Sequence, residues 1–403
     1  MTELFAGTTI LEFGGGAAGP VATRYFADHG ATVIRVESRQ RPDFLRTLRL
    51  TPNSPGGLDG AHHFAVLNAN KLSVALNLSR PEGVAVARRL ALWADAVAEN
   101  FAPGAMARWG LDYATLVKSR PDLVMISTCL NGQTGPERHY PGFGGQGSAL
   151  AGFNHLTGWP DREPVGPFGT ITDSLSPRMA ALLLASALLH RRRSGEGQHL
   201  DLAQVEGGIV CLTESILSYT ANGEILTRMG NRSPHAAPHG LFPCAGNDRW
   251  VAIAVHDDAE WRRLVRALGD PAWAADPALD TAAGRVARAE EIEERLAAWT
   301  RERTPAAIAD ELQAAGIDAA PVEDFADLNA DPQLAHRAHF RPVEHAVLGR
   351  HPVETHAMRF SAMEPRIHAP APRLGEHTEH VLRDLLGMRA DEFTQLRDAG
   401  VFE

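Results

Sequence analysis

Over its first half the chain alternates short apolar β-type runs with stretches of helical spacing. Thr8 to Phe13 reads as a strand, Gly14 to Gly19 as a tight turn, and Pro20 to His29 as a helix with Val21, Tyr25 and Phe26 on one side. Ala31 to Glu37, Leu72 to Leu78, Ala96 to Glu99, Leu123 to Thr128 and His199 to Leu202 are further strands. Pro81 to Trp93 is a helix with proline and glutamate in its first turn, where proline lacks only an N–H that would go unused. Strand, helix and strand in this order predict an α/β fold with a parallel sheet flanked by helices.

Leu130 to Gly169 is rich in glycine and proline, and an irregular stretch of that length in a compact domain is usually functional. The most apolar helix follows, running to about His190, with Ser176 as N-cap and Pro177 as its first residue. Arg191 to Arg193 lie at its C-terminal end, where the helix dipole favours cations. The pattern then changes. Gly230 to Pro243 reads as a loop and Trp250 to Val255 as a strand. Amphipathic helices follow near 259–268, 284–301 and 305–315, giving a smaller α+β domain over 230–325. Asp327 to Leu374 reads as a long connector, and Gly375 to Leu386 is helical again.

The 403 residues, 44% hydrophobic and 22% charged, suffice for a large core. The longest apolar run, Met179 to Leu189, is too short to span a bilayer, and no secretory leader pattern opens the chain. A net charge of −10 gives no support to nucleic-acid binding. Cys129, Cys211 and Cys244 are widely spaced, which fits a reducing cytoplasm better than a disulfide framework. His235 with His239, and His377 with His380, lack a third ligand in sequence, so no metal is expected.

Gly14, Gly16 and Gly19 match G-x-G-x-x-G between a strand and a helix, and Glu37 closes the next strand. That is the dinucleotide fingerprint, which leaves an NAD-dependent oxidoreductase open. The same glycines also serve a tight turn without a cofactor.

Longer stretches are specific in combination. They include Asn68 to Leu78, Glu99-Asn-Phe-Ala-Pro-Gly104, Arg108-Trp-Gly-Leu-Asp112, Gly132-Gln-Thr-Gly-Pro136, Ser194 to Gln198, Gly230-Asn-Arg232 and Ala369 to His377. With the opening strand and Ala18-Gly-Pro20, the chain resembles the class III CoA-transferases, which include formyl-CoA transferase, carnitine CoA-transferase and α-methylacyl-CoA racemase. The resemblance implies a Rossmann-like large domain of residues 1–205 completed by 375–403. It also implies a linker at 206–229, the small domain at 230–325, a return linker at 326–374, and an interlocked homodimer. The glycine turn then belongs to a CoA site. No tightly bound cofactor is implied; acyl-CoA and a small carboxylic acid are substrates, with no membrane or nucleic-acid partner.

Asp173 aligns with the catalytic aspartate of that family, where a carboxylate attacks a thioester and carries first acyl and then CoA. Taken alone, it also suits a helix start as an ordinary cap. Arg39, Arg80 and Arg108 are candidate phosphate partners, since guanidinium binds phosphate through paired hydrogen bonds, and each also suits a solvated surface. Ala18, Leu76, Asn100, Phe101 and Arg108 match positions that line CoA in the family, although Phe101 also suits core packing. Phe143, Gly144 and Gly145 belong to the glycine-rich run Gly142 to Gly147, a candidate for substrate contact and oxyanion donation or a plain turn. Arg178, five residues past Asp173, is placed to hold the free carboxylate of a dicarboxylic acceptor. The run Asp-x-x-x-Pro-Arg, with Gly166 to Gly169 before it and Asp201 to Glu206 after, is most similar to the benzylsuccinate branch.

Gly15-Gly16-Ala17 replaces the glutamine and histidine of formyl-CoA transferases, and Ser233 to His239 replaces their glycine-rich loop, which argues against an oxalate and formate pair. Phe143 stands about where the racemases carry a catalytic histidine, so racemisation ranks second. A CoA-binding subunit without catalysis is opposed by Asp173.

Overall fold

The computed structural model describes residues 3–48, 55–167 and 170–403. They form two compact units: residues 1–154, 166–225 and 333–403 make the larger, and 155–165 with 226–332 the smaller. The small-domain limits expected from the sequence, 230 and 325, therefore differ from the unit boundaries by a few residues. Residues 204–225 and 333–374 count within the larger unit.

The larger unit is built on six parallel strands: β1 (Thr9–Phe13), β2 (Thr32–Glu37), β3 (Leu72–Ala75), β4 (Ala96–Glu99), β5 (Val124–Cys129) and β6 (Gln198–Ala203). Their order is β3-β2-β1-β4-β5-β6, so the chain reverses its direction of winding between β1 and β4. In sheets of this order a ligand crevice opens outside the carboxyl ends of the strands at that point. β1, β2, β4 and β5 are buried almost throughout, which explains their continuous apolar runs. One core joins Leu11, Phe13, Ile34 and Val97 to the Pro81–Trp93 helix and the C-terminal segment around Val381 and Phe393. The opposite face packs on helices Ala18–Ala27 and Ile171–Ser194 through Phe26, Ala180 and Leu184.

Beneath the apolar layer lies a buried ionic network. Arg35 pairs with Glu12, Glu37 and Asp43, Lys71 with Glu12 at 2.7 Å, and Arg46 with Glu37 at 2.8 Å. Burial drives the Lys71 ammonium down to about 8 despite Glu12 beside it.

The long helix begins at Ile171, with Thr170 at the N-cap, not at Pro177. Pro177 sits in its second turn and cannot donate to the carbonyl four residues back, that of Asp173. Gly144–Leu150 is helical within the stretch expected to be irregular, and the segment expected to be a linker carries helices Gln204–Val210 and Thr213–Asn222. Phe168 and Gly169, part of the Gly166 to Gly169 stretch and the end of that irregular region, lie outside the described residues.

The smaller unit holds an antiparallel sheet of His239–Pro243, Trp250–Ala254 and Asp318–Val322. His239–Pro243, expected to be loop, pairs with the predicted strand beside it. Its core gathers Phe242, Val251, Trp261, Ile292 and Leu312. Among the described residues no helix is long and apolar enough to cross a membrane.

Candidate active site

Asp173 is the third residue of the Ile171–Ser194 helix, half-buried, its N–H bonded to Thr170 O at 2.9 Å. The carboxyl group is fixed from two sides. Gln204 Nε2 donates to Asp173 Oδ1 at 2.9 Å, and the Gln204 side chain is itself buried at the start of the 204–210 helix. Gly144 lies against the other oxygen: a Cβ at Gly144 would stand 2.3 Å from Asp173 Oδ2. Only glycine leaves the carboxyl where it is. Thr172 Oγ1 donates to Gly144 O at 3.1 Å, tying the starts of the two helices together.

Asp173 opens on a cleft of about 1480 Å³ in the larger unit. Ala17 and Val21 line it from the first helix, and Ser174, Pro177 and Arg178 from the turn after Asp173. Arg178 is exposed and donates to the Ser174 carbonyl. Two other arginines of this cleft are committed elsewhere: Arg24 pairs with Asp28 at 3.2 Å, and Arg191 with Asp95 at 3.0 Å and Asp122 at 2.5 Å.

The glycine turn after β1 meets Asn100 across the crevice between β1 and β4. Asn100 Nδ2 donates to Gly15 O at 2.7 Å, and Gly15 N donates to Asn100 Oδ1 at 3.1 Å. Gly14 adopts φ of 129° and a Cβ there would overlap Asn100 Oδ1. Gly16 N donates to Asp43 Oδ1 at 3.0 Å, and Phe44 covers Gly16 and faces the Phe143 ring at 5.4 Å. Phe143 is 65% exposed and precedes Gly144, with Gly145 exposed after it. Contacts therefore link Asn100 through the glycine turn and Phe44 to Phe143, Gly144 and Asp173 as one wall, of which only Asp173 lines the cleft.

The other expected residues lie off that wall. Ala18 is buried in the first helix and Leu76 is fully buried in the main core. Phe101 is half-buried, edge-on to Trp109 at 5.7 Å. Arg108 is exposed at the end of a short helix, Arg80 is exposed before the Pro81–Trp93 helix, and Arg39 donates to Leu374 O at 3.2 Å. The cleft lining includes none of the three arginines. Three residues without an assigned role in the sequence are prominent here: Gln204, Asp43 and Glu99. Gln204 is 31 residues from Asp173, and a glutamine carries no spacing signal. Among the described residues no group of three His, Cys, Asp or Glu side chains is placed to hold a metal.

Comparison with known proteins agrees with this architecture. The family described as CoA-transferase family III matches residues 5–378. A probable CoA-transferase of Mycobacterium tuberculosis, Rv1866, is 35% identical over 97% of this chain, which spans about half of that protein, 49% of its length. The succinyl-CoA–D-citramalate CoA-transferase of Chloroflexus aurantiacus is 34% identical, with 96% of this chain and 95% of that protein covered. The crystal structure of a CaiB/BaiF family protein from Brucella suis superposes with a TM-score of 0.87 at 30% identity, covering 96% of this chain and all of that one. The chain belongs to CoA-transferase family III and is an enzyme of that class.

Proposed function

We propose that the enzyme moves CoA from an acyl-CoA thioester to a free carboxylic acid through covalent intermediates on Asp173. The observation that carries this reading is the seating of Asp173: a carboxylate opening on a large cleft, oriented by Gln204, with Gly144 packed against its other oxygen. The Asp173 carboxylate attacks the thioester carbonyl. The C–S bond breaks, and a mixed anhydride and CoA thiolate result. Thiolate attack on the aspartyl carbonyl of the anhydride releases the donor acid and leaves aspartyl-CoA. The acceptor carboxylate attacks that thioester, thiolate leaves again, and its attack on the acceptor's acyl carbonyl forms the new acyl-CoA and restores Asp173. No water and no net proton are consumed, so the groups that hold the carboxylate matter more than an acid or base. The helix N-terminus favours the negative charge that builds up on each tetrahedral intermediate.

The Gly14–Gly16 turn and Asn100 on the wall serve CoA, together with Ala18, Leu76 and Phe101 off it, and Arg39, Arg80 and Arg108 are partners for its phosphates. Phe143, Gly144 and Gly145 border the acyl group. Arg178 holds the distal carboxylate of a dicarboxylic acceptor; the Chloroflexus relative is named for succinyl-CoA and citramalate, a dicarboxylic acid. Two copies interlock as a homodimer, which supplies cover for Leu182, Val210, Leu217, Tyr219 and Ile225, all large apolar side chains exposed in one chain.

The test is trapping. Enzyme incubated with succinyl-CoA and then hydroxylamine or borohydride is expected to carry an adduct on Asp173 by mass spectrometry, and Asp173→Ala to lose both adduct and exchange. An active Asp173→Ala enzyme would refute the covalent reading. Arg178→Ala is expected to raise KM for succinate about tenfold or more, with KM for a monocarboxylic acceptor little changed.

A further inference from the structure

The three glycines after β1 leave room that the chain itself fills. A Cβ at Gly14 would overlap Asn100 Oδ1, one at Gly15 would stand 3.2 Å from the Asp43 carboxyl, and one at Gly16 would stand 2.7 Å from the Phe44 ring. The donors of the turn are taken as well. Gly15 N donates to Asn100 Oδ1, and Gly16 N donates to Asp43 Oδ1 at 3.0 Å and Oδ2 at 3.2 Å. In a dinucleotide fold such glycines bring backbone N–H groups to a phosphate. Here a carboxylate of the same chain occupies the Gly16 donor that a phosphate would use.

Asp43 is buried, and its two oxygens join three segments. Besides Gly16 N, Oδ1 accepts from Leu45 N at 2.9 Å and so caps the short helix Phe44–Thr47. Oδ2 accepts from Arg35 Nη2, which also donates to Gly14 O at 3.0 Å. Arg35 is itself fully buried and paired with Glu12, so the carboxylate is anchored in the ionic network under the sheet. Every one of these bonds runs from an N–H into the carboxylate, and charge strengthens each of them. Phe44 follows the cap directly. Its backbone is fixed, yet its ring is 44% exposed, lying over Gly16 and 5.4 Å from the ring of Phe143. Phe143 is rooted in the same way, with its N–H donating to Gln146 Oε1 at 3.0 Å. The two rings form an apolar step between the turn and Gly144, which packs on Asp173. A ligand that reaches from the turn to Asp173 passes over that step, and covering exposed ring surface is favourable.

We propose that Asp43 is a positioning residue of the thioester site: its carboxylate closes the glycine turn and seats Phe44 over it, so that the turn meets CoA with an aromatic face for the neutral arm between phosphates and sulfur, not with N–H donors for a phosphate. The inference deepens the assignment of the crevice to CoA and rests on it.

The experiment is calorimetric titration of the full-length enzyme with S-methyl-CoA, an unreactive thioether. Asp43→Asn keeps an oxygen for both Gly16 N and Leu45 N, and is expected to bind within about threefold of wild type. Asp43→Ser keeps a helix cap, but its hydroxyl is one bond short of reaching Gly16 N. It is expected to bind about tenfold or more weakly. Phe44→Ala, at an exposed position, is expected to bind about tenfold more weakly. Because Asp43 acts through Phe44, adding Asp43→Ser to Phe44→Ala is expected to cost at most about threefold more. A general loss of stability would not produce that coupling. Wild-type binding by Asp43→Ser, binding by Asp43→Asn as weak as that of Asp43→Ser, or full additivity with Phe44→Ala would overturn the positioning role. Wild-type affinity in Phe44→Ala would overturn it whether or not Asp43→Ser folds. Absence of S-methyl-CoA binding in wild type would overturn the CoA assignment itself, and Asp173 trapping would report on the chemistry separately.

Discussion

At the scale of single residues the site depends on one missing side chain. Gly144 packs directly on the Asp173 carboxyl, so Gly144→Ala must push either the carboxyl or the helix start aside. A displacement near 1 Å at a reacting group costs on the order of 100-fold in rate. We expect Gly144→Ala to fold normally by circular dichroism and to lose about 100-fold in kcat. With Asp173 as the proposed nucleophile, Gln204→Leu is expected to lower kcat about tenfold or more, since it frees the carboxyl to rotate without removing it. The placement of Asp173 near a helix start is legible in the sequence, because it adjoins a strongly apolar helical run within an ordered series of family stretches. Gln204 and Asp43 are not. Each acts across the fold on a backbone or carboxyl group that no local spacing predicts.

At the scale of elements the sheet is legible and the helix starts are not. Buried strands between glycine turns announce themselves by unbroken apolar runs, and all six lie within one residue of their expected ends, apart from the Leu72–Leu78 run, whose strand stops at Ala75. The Ile171–Ser194 helix starts earlier than its pattern suggests, where serine followed by proline is a strong local start signal. Tertiary contacts override it: Thr172 bonds to Gly144 O, Ser176 and Pro177 are buried, and the helix gains one and a half turns before its proline. The consequence is chemical, since Asp173 then lies inside the first turn with its own carbonyl released by Pro177. Thr172→Val keeps the shape and removes the tie. It is expected to cost about 1 kcal/mol of stability, read by denaturant unfolding, and to lower kcat more than it raises the KM for acyl-CoA.

At the scale of the whole molecule the reversal of strand order between β1 and β4 gathers the glycine turn, Asn100 and Glu99 at one crevice, although they are distant in sequence. The same burial that makes the crevice makes Glu99 costly to ionise, and that cost falls on folding. Its carboxyl lies at about 7 in the folded chain against an ordinary 4.5. The sign follows from linkage. Below about pH 4.5 the acid is protonated in both states and costs nothing. As pH rises the unfolded chain ionises first, and stability falls until the folded group ionises too, near 7. At ~1.4 kcal/mol per pKa unit the loss is about 3 kcal/mol. Glu99→Gln removes this dependence while preserving shape. Its unfolding free energy relative to wild type is therefore expected to improve by about 3 kcal/mol between about pH 4.5 and pH 8. Paired urea titrations at the two pH values measure that difference, and other titrating groups cancel in it. An unchanged difference would mean that Glu99 is ionised in the folded enzyme at neutral pH, with Asp201 tolerated beside it.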